Sequence, residues 1–107
     1  MRLTSSSPIY YTFFMENYAY IVECKDKSLY CGWTNDLQRR LAAHNSGKGG
    51  KYTRTRYPVT LVYYETFATK EEAMSREWHL KRLTHSQKLA LIKGLQEKEE
   101  NNYGNTT

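Results

Sequence analysis

The chain has 107 residues, two cysteines and a formal net charge of +5, because 16 lysines and arginines outnumber 11 acidic residues. This length allows one domain and excludes a two-domain enzyme with a complete Rossmann half. Two cysteines are too few for a disulfide scaffold or a four-cysteine zinc site, and no apolar run is long enough to span a membrane, so we expect a cytoplasmic protein with reduced thiols and no membrane partner.

The pattern of apolar and polar residues divides the chain into three parts. Residues 1–15 precede the regular pattern, and we expect them to form a disordered N-terminal extension. Residues 16–95 carry the predicted strands and helices of one domain. Residues 96–107 are polar and rich in turn-forming residues, which predicts a frayed C-terminal tail.

The first two predicted elements are strands joined by a short polar link. Tyr18–Cys24 and Leu29–Trp33 are rich in aromatic and β-branched residues, which favour strands. Because only four residues separate them, the two strands should form an antiparallel hairpin.

The length of the hairpin loop decides which side chains share a face of the sheet. In a three-residue loop with Lys27 in the left-handed conformation, Tyr20 lies opposite Gly32 and shares a face with Tyr30. The two cysteines then lie on opposite faces and cannot form a disulfide bond. A loop of two or four residues would instead separate the two tyrosines.

Three cap signatures and one further apolar run predict the remaining elements. These are a helix that follows the candidate N-caps Thr34-Asn35-Asp36 and ends near Asn45, a strand over Thr60–Phe67, a helix that follows the Thr69–Glu72 capping box and ends near Leu83, and a last helix from Thr84 to about Leu95. The order β-β-α-β-α-α predicts an α/β protein of the α+β type, with a small three-stranded antiparallel sheet flanked by helices.

The excess positive charge is concentrated in one segment of the chain. Leu37–Tyr64 contains six lysines and arginines and no acidic residue, so it carries +6 and the remainder of the chain has a net charge of −1. A basic segment interleaved with tyrosines is typical of a surface that binds a phosphate backbone. The alternative is a solvated loop that only aids solubility. The six cations are Arg39, Arg40, Lys48, Lys51, Arg54 and Arg56.

Two polar residues adjoin the apolar stripe of the first predicted helix. Leu37, Leu41 and His44 lie on this stripe at helical spacing, and Arg40 adjoins it. Because Arg40 and His44 are four residues apart, both side chains point the same way at the edge of the core. They either belong to a functional site, or form a purely structural arrangement in which Arg40 reaches the surface beside a core-edge histidine.

A carboxylate lies on the apolar side of the next predicted helix. Glu77 falls between Ala73 and Met74 on a helical wheel. An unpaired carboxylate there is strongly destabilising, so Glu77 needs a cation. The structural alternative is an ion pair with Arg40 or Lys81, and the functional alternative is a role as a ligand for Mg²⁺.

Two tyrosine-containing tripeptides precede these polar residues at regular spacing. The tripeptides are Ala19-Tyr20-Ile21 and Tyr30-Cys31-Gly32, and Thr34, Leu37, Arg40, His44 and Glu77 follow in order. In this order and at this spacing the chain resembles the GIY-YIG nuclease family, and most closely its small stand-alone bacterial members. The resemblance extends from about Glu16 to Lys93 and implies the GIY-YIG endonuclease fold.

The resemblance also implies a role for each residue of the site. Tyr20 and Tyr30 would flank the scissile phosphate, with one of them helping to activate the attacking oxygen. Arg40 would stabilise the charge that develops on the phosphate, and His44 would assist proton transfer. Glu77 would hold one divalent ion, Mg²⁺ or Mn²⁺.

The leading hypothesis is therefore a metal-dependent endonuclease that hydrolyses DNA phosphodiester bonds in repair or recombination. Because the chain has no room for a separate recognition domain, we expect it to recognise DNA structure rather than sequence, with DNA favoured over RNA and a monomer over an oligomer. Two alternatives remain, namely a module that binds nucleic acid without cleaving it and a domain that recruits a protein partner. The residues expected to contact nucleic acid are Gly32, Arg39, Lys48, Lys51, Arg54 and Arg56.

Overall fold

The computed structural model describes residues 16–104, and the side chains of residues 16–99. The predicted extension over residues 1–15 lies outside the described residues. The elements are β1 (Asn17–Glu23), β2 (Leu29–Thr34), α1 (Leu37–Asn45), β3 (Thr60–Phe67), α2 (Lys70–Lys81) and α3 (His85–Gly104). This order confirms the predicted succession β-β-α-β-α-α.

The three strands form one antiparallel sheet in the order β2-β1-β3. Lys27 adopts the left-handed conformation, with φ of 73°, and closes the hairpin between β1 and β2. Tyr20 accordingly lies opposite Gly32, and Val22 lies opposite Tyr30. The register predicted for a three-residue loop is therefore confirmed, and Tyr20 and Tyr30 share one face.

The helix α1 covers the face of the sheet that carries Tyr20. Tyr20, Val22 and Cys24 are buried on this face, and Leu37 and Leu41 of α1 pack against them. This packing aligns α1 over the hairpin, so polar residues on the same side of α1 reach the tyrosines.

The helices α2 and α3 cover the opposite face. Ala19, Ile21 and Cys31 are buried there together with Leu80 of α2 and Ile92 of α3. The two cysteines thus lie in different layers and are both free, as predicted.

The helix starts follow the predicted caps. The Asp36 side chain accepts a hydrogen bond from the backbone N–H of Arg39 at 3.1 Å, and both hydrogen bonds of the Thr69–Glu72 capping box are present. These caps satisfy backbone donors that a helix leaves open at its N-terminus. The helix α2 ends at Lys81, two residues before the predicted end at Leu83, because Arg82 already serves as its C-cap.

The last helix is longer than predicted. It was expected to end near Leu95, with a frayed tail after it, but α3 continues to Gly104. Residues 96–100, Gln-Glu-Lys-Glu-Glu, are good helix formers, and their propensity outweighs their polar composition. Neither this helix nor any other within residues 16–104 is long and apolar enough to cross a bilayer.

Candidate active site

Tyr20 lies at the centre of the site, and its side chain is 1% exposed. Its ring lies directly over Gly32. A Cβ atom built on Gly32 would approach the Tyr20 hydroxyl oxygen to 2.5 Å, a distance that no side chain tolerates. Glycine is therefore required at position 32 because the ring of Tyr20 occupies the space above it.

His44 is fully buried and has a hydrogen-bond partner on each ring nitrogen. Its Nε2 lies 2.9 Å from the hydroxyl oxygen of Tyr20, and its Nδ1 lies 2.7 Å from Oγ1 of Thr53. Thr53 is also fully buried. Burial lowers the pKa of His44, and the positive charge of Arg40 lowers it further, so the imidazole is neutral at neutral pH.

Arg40 connects the buried groups to the surface. Its guanidinium donates a hydrogen bond to the backbone carbonyl of Gly49 and interacts with the hydroxyls of Tyr20 and Tyr30. Burial alone would lower the pKa of Arg40, but the two phenols raise it, so the guanidinium stays charged. Arg40 also lines an open depression of about 320 Å³ at the start of α1.

Hydrogen bonds connect the buried groups of the site in a chain. Arg40 can only donate, so it faces the oxygen of Tyr20 as a donor, and the Tyr20 hydroxyl shares a hydrogen bond of 2.9 Å with Nε2 of His44. The neutral imidazole of His44 donates through one ring nitrogen and accepts through the other, between Tyr20 and Thr53. Burial raises the pKa of Tyr20, although Arg40 opposes this, and the phenol remains protonated at neutral pH.

Gly49 holds the basic loop, residues 46–58, against His44. A Cβ atom at Gly49 would collide with Nδ1 of His44, so only glycine allows the backbone to pack on the imidazole. The sequence predicts this glycine-rich stretch only as part of the basic segment, with no role for Gly49 or Thr53. The one available signal was the close spacing of glycines at 47, 49 and 50.

Tyr30 is half-buried and belongs to a stack of three side chains. Its ring centroid lies 5.7 Å from that of Tyr52, with 23° between the planes, and the Arg56 guanidinium carbon lies 4.1 Å from the Tyr52 ring centroid. The Tyr30 ring also meets the imidazole of His44 edge-on, at 5.5 Å between centroids. We call Tyr30, Tyr52 and Arg56 the stacked column.

Arg56 therefore has a structural role that the sequence did not predict. Its Nε lies 3.1 Å from a carboxylate oxygen of Asp26, and its guanidinium also donates to the backbone carbonyl of Tyr52 at 2.8 Å. By contrast, four of the predicted nucleic-acid contacts are exposed, namely Arg39, Lys48, Lys51 and Arg54.

Glu77 lies on α2, in the other layer of the fold from Arg40. Its carboxylate pairs with Nζ of Lys81 at 3.5 Å, which is one of the two structural alternatives; within residues 16–99 the structure gives no ion pair between Glu77 and Arg40. The same Lys81 nitrogen lies 6.0 Å from the ring centroid of Tyr30. Because α2 packs over β1 and β2 on the face opposite α1, a joint site of Glu77 with Arg40 and Tyr30 stays a prediction.

A divalent ion at Glu77 would have to be held mainly by water and substrate, because Glu77 supplies a single carboxylate. No group of three or more histidine, cysteine and acidic side chains that could hold a metal occurs in the described part of the chain. Mg²⁺, however, is often bound through one or two carboxylates together with phosphate oxygens and several waters. The pair with Lys81 is no obstacle, because an ion pair with an exposed lysine is weak.

The site thus has an inner and an outer layer. Tyr20, His44 and Thr53 are buried, whereas Arg40 and Tyr30 are only partly buried and can contact a bound molecule. The Tyr20 hydroxyl faces His44 and Arg40 beneath the surface, and its predicted position beside the scissile phosphate stays a prediction.

Comparison with known proteins gives concordant matches. The family model of the GIY-YIG catalytic domain matches residues 16–90. UPF0213 protein CPE1444 of Clostridium perfringens is 60% identical over 85 residues, which are 79% of this chain and 91% of that protein. UPF0213 protein SH2523 of Staphylococcus haemolyticus is 54% identical over 77 residues, 72% of this chain and 94% of that protein. The solution NMR structure of the protein EF2693 from E. faecalis superimposes with a TM-score of 0.52 at 41% identity, covering 76% of this chain and 86% of that one.

Proposed function

The chain belongs to the GIY-YIG family, and from this premise we propose that it is a divalent-metal-dependent endonuclease that hydrolyses DNA phosphodiester bonds. The observation that carries the proposal is the contact of Arg40 with Tyr20 and Tyr30 above the buried His44. Hydrogen bonds to buried groups hold the charged guanidinium of Arg40 in place. A cation fixed in this way can stabilise a phosphate whose negative charge grows in the transition state.

In this proposal Arg40 and Tyr30 are the catalytic residues. Arg40 binds non-bridging oxygens of the scissile phosphate and stabilises the transition state more than the bound substrate. Tyr30 faces the same phosphate and orients the attacking water through its hydroxyl, since it is the more exposed of the two tyrosines.

Tyr20 and His44 act through these two residues. Tyr20 holds the Arg40 guanidinium in place, and Nε2 of His44 lies 2.9 Å from the Tyr20 oxygen. Because His44 is neutral, its unprotonated ring nitrogen can accept a proton, as the proposed role in proton transfer requires.

Glu77 would hold the metal ion, Mg²⁺ or Mn²⁺. Such an ion polarises the scissile phosphate and stabilises the leaving oxygen. Glu77 must leave Lys81 to do so, and this costs little because Lys81 is exposed to water.

The exposed cations of the basic segment would follow the DNA backbone. Contacts between cations and phosphate groups carry no information about the base sequence, which supports recognition of DNA structure in repair or recombination. The cations concerned are Arg39, Lys48, Lys51 and Arg54. A cytoplasmic monomer that acts on DNA rather than RNA remains part of this proposal.

The test is cleavage of branched, nicked and single-stranded DNA, and of matching RNA, with Mg²⁺ or Mn²⁺. Glu77→Gln removes the charge and keeps the shape, so it should abolish cleavage while DNA affinity stays nearly unchanged. Glu71→Gln is the matched control, because Glu71 is an exposed carboxylate on the same helix. Undiminished cleavage by purified Glu77→Gln protein would contradict the proposed metal ligand.

The second candidate is a module that binds nucleic acid without cleaving it. The pair between Glu77 and Lys81 favours it, because this contact already supplies the cation that the carboxylate needs. Tight binding without cleavage under every metal and substrate condition would support this candidate over the nuclease.

A further inference from the structure

Two large apolar side chains are exposed next to Glu77 on α2. Trp78 is 51% exposed and Met74 is 41% exposed. On a helix surface, residues three and four positions apart are neighbours, so Met74 adjoins both Glu77 and Trp78. An exposed tryptophan beside a candidate metal ligand is unexplained by packing, because Ala73 and Leu80 already bury the opposite side of the helix.

Cations surround the indole of Trp78. The guanidinium carbon of Arg82 lies 3.3 Å from the centroid of the Trp78 ring, and Arg82 also donates to the backbone carbonyl of Trp78 at 2.9 Å. Lys81 lies three residues after Trp78 on the same helix, so it is a neighbour of Trp78 on the helix surface, and it is also exposed. The indole therefore has one face held by a fixed cation, while half of its surface remains open to a ligand.

We propose that Trp78 is a stacking platform for an unpaired nucleobase, so that the substrate carries a single-stranded nucleotide beside the phosphate that is cut. The inference rests on the proposed function in taking nucleic acid as the partner, and adds the substrate class. Every base offers a flat face to an aromatic ring, but only an unpaired base can turn that face toward a protein. Arg82 and Lys81 supply the charge that a neighbouring phosphate requires.

The positive charge beside Trp78 favours nucleic acid as the partner. The Arg82 guanidinium carbon lies 3.3 Å from the ring centroid of Trp78, and the exposed Lys81 follows three residues later on the same helix, so a flat aromatic surface occurs together with cations that suit a phosphate backbone. Base stacking next to cations is the arrangement typical of single-strand binding surfaces.

The first test uses the fluorescence of Trp78 without metal, so that binding is measured in the absence of cleavage. Trp33→Phe leaves Trp78 as the sole tryptophan, since the chain has two. Titration with a thymidine oligonucleotide in EDTA should quench this fluorescence, whereas a blunt-ended duplex should bind without quenching it. Equal quenching by both, or by neither while both bind, would overturn the proposal.

The second test compares variants of the platform by fluorescence anisotropy, with labelled oligonucleotides. Trp78→Ala should weaken binding of the thymidine oligonucleotide by about 5- to 100-fold and leave the affinity for the blunt-ended duplex unchanged. Trp78→Phe should restore most of the loss, because the aromatic face returns. The control Leu89→Ala removes another exposed apolar side chain, 46% exposed on α3, and should change neither affinity.

The outcomes separate this proposal from the proposed nuclease activity. Selective loss of single-strand affinity in Trp78→Ala supports the platform, even if the wild-type protein cleaves nothing. Loss of both affinities together, or a dimer in sedimentation that Trp78→Ala dissociates, would overturn the platform while leaving cleavage by Arg40, Tyr30 and Glu77 intact.

Discussion

Thr53 places a hydroxyl group in the fully buried interior, where its Oγ1 lies 2.7 Å from Nδ1 of His44. This hydrogen bond holds the imidazole in the orientation that turns Nε2 toward Tyr20. Thr53 is therefore a positioning residue for His44, although it contacts no exposed group of the site.

Replacing Thr53 should lower the activity of a protein that still folds. Thr53→Val keeps the shape but removes the hydroxyl group, so it should lower kcat by roughly 10- to 100-fold and destabilise the fold by about 1–3 kcal/mol. Thr53→Ser keeps the hydroxyl and should restore most of the activity, measured by single-turnover cleavage. Equal activities of the Thr53→Val and wild-type proteins would contradict the role of Thr53 in positioning His44.

The burial of His44 makes stability depend on pH. The pKa of His44 in the folded protein is lowered, so the unfolded chain takes up a proton first as the pH falls below about 6.5. The contribution of His44 is therefore intact above this pH and is lost as the pH falls toward the folded pKa. Urea denaturation between about pH 8 and pH 5 should show this decline, and His44→Gln should lack the part that His44 causes.

At the scale of elements, the hairpin could be predicted and the basic loop could not. The parity of strand positions allows one loop length to decide the whole register, so Lys27 and the Tyr20–Gly32 pair followed from a few residues. Thr53 and Gly49 lie in a loop without periodicity. Their contacts with His44 depend on how that loop folds back, and no local pattern encodes this.

The C-terminal end of helix α3 could not be predicted from its apolar pattern either. Its apolar residues end at Leu95, which suggested an early end, but helix propensity extends it to Gly104. The core face was predictable because it is periodic, whereas the polar extension has no partner pattern to mark its end.

Shortening α3 should consequently leave the domain intact. A chain that ends at Gln96 keeps Leu91, Ile92 and Leu95, the α3 residues that pack on the core. The free energy of unfolding should change by only about 0.5 kcal/mol, because surface changes away from the core have small effects. Thermal denaturation would reveal a larger loss, which would show that the extension supports the fold.

At the scale of the whole molecule, the basic loop is anchored at both ends. Asn45 and Val59 exchange two hydrogen bonds, from the Val59 N–H to Oδ1 at 2.6 Å and from Nδ2 to the Val59 carbonyl at 3.2 Å. Lys25 N–H donates to the Arg56 carbonyl at 2.9 Å. The loop is therefore part of the rigid domain, and its exposed cations keep a fixed position relative to Arg40.

The cations of this loop should divide into two groups when neutralised. Lys51→Ala and Arg54→Ala should each reduce the slope of DNA affinity against salt by about one unit, with unchanged melting temperature. Arg56→Ala should lower the melting temperature, since it removes the Asp26 pair and the contact with Tyr52. Salt titration by anisotropy and thermal denaturation measure both effects; an Arg56→Ala protein of unchanged stability would contradict the structural role.

The stacked column connects the basic segment to the candidate active site. Tyr30 touches Tyr52, and Tyr52 lies under Arg56, so the basic segment and the partly buried phenol of the site are in direct contact. Natural variation at Tyr52 or Arg56 should therefore change DNA affinity and the reactivity of the site together, unlike variation at the exposed Lys51 and Arg54. We expect DNA affinity and cleavage rate to change together when the stacked column changes. Changes of ligand preference should arise first on the far side of the site, around α2.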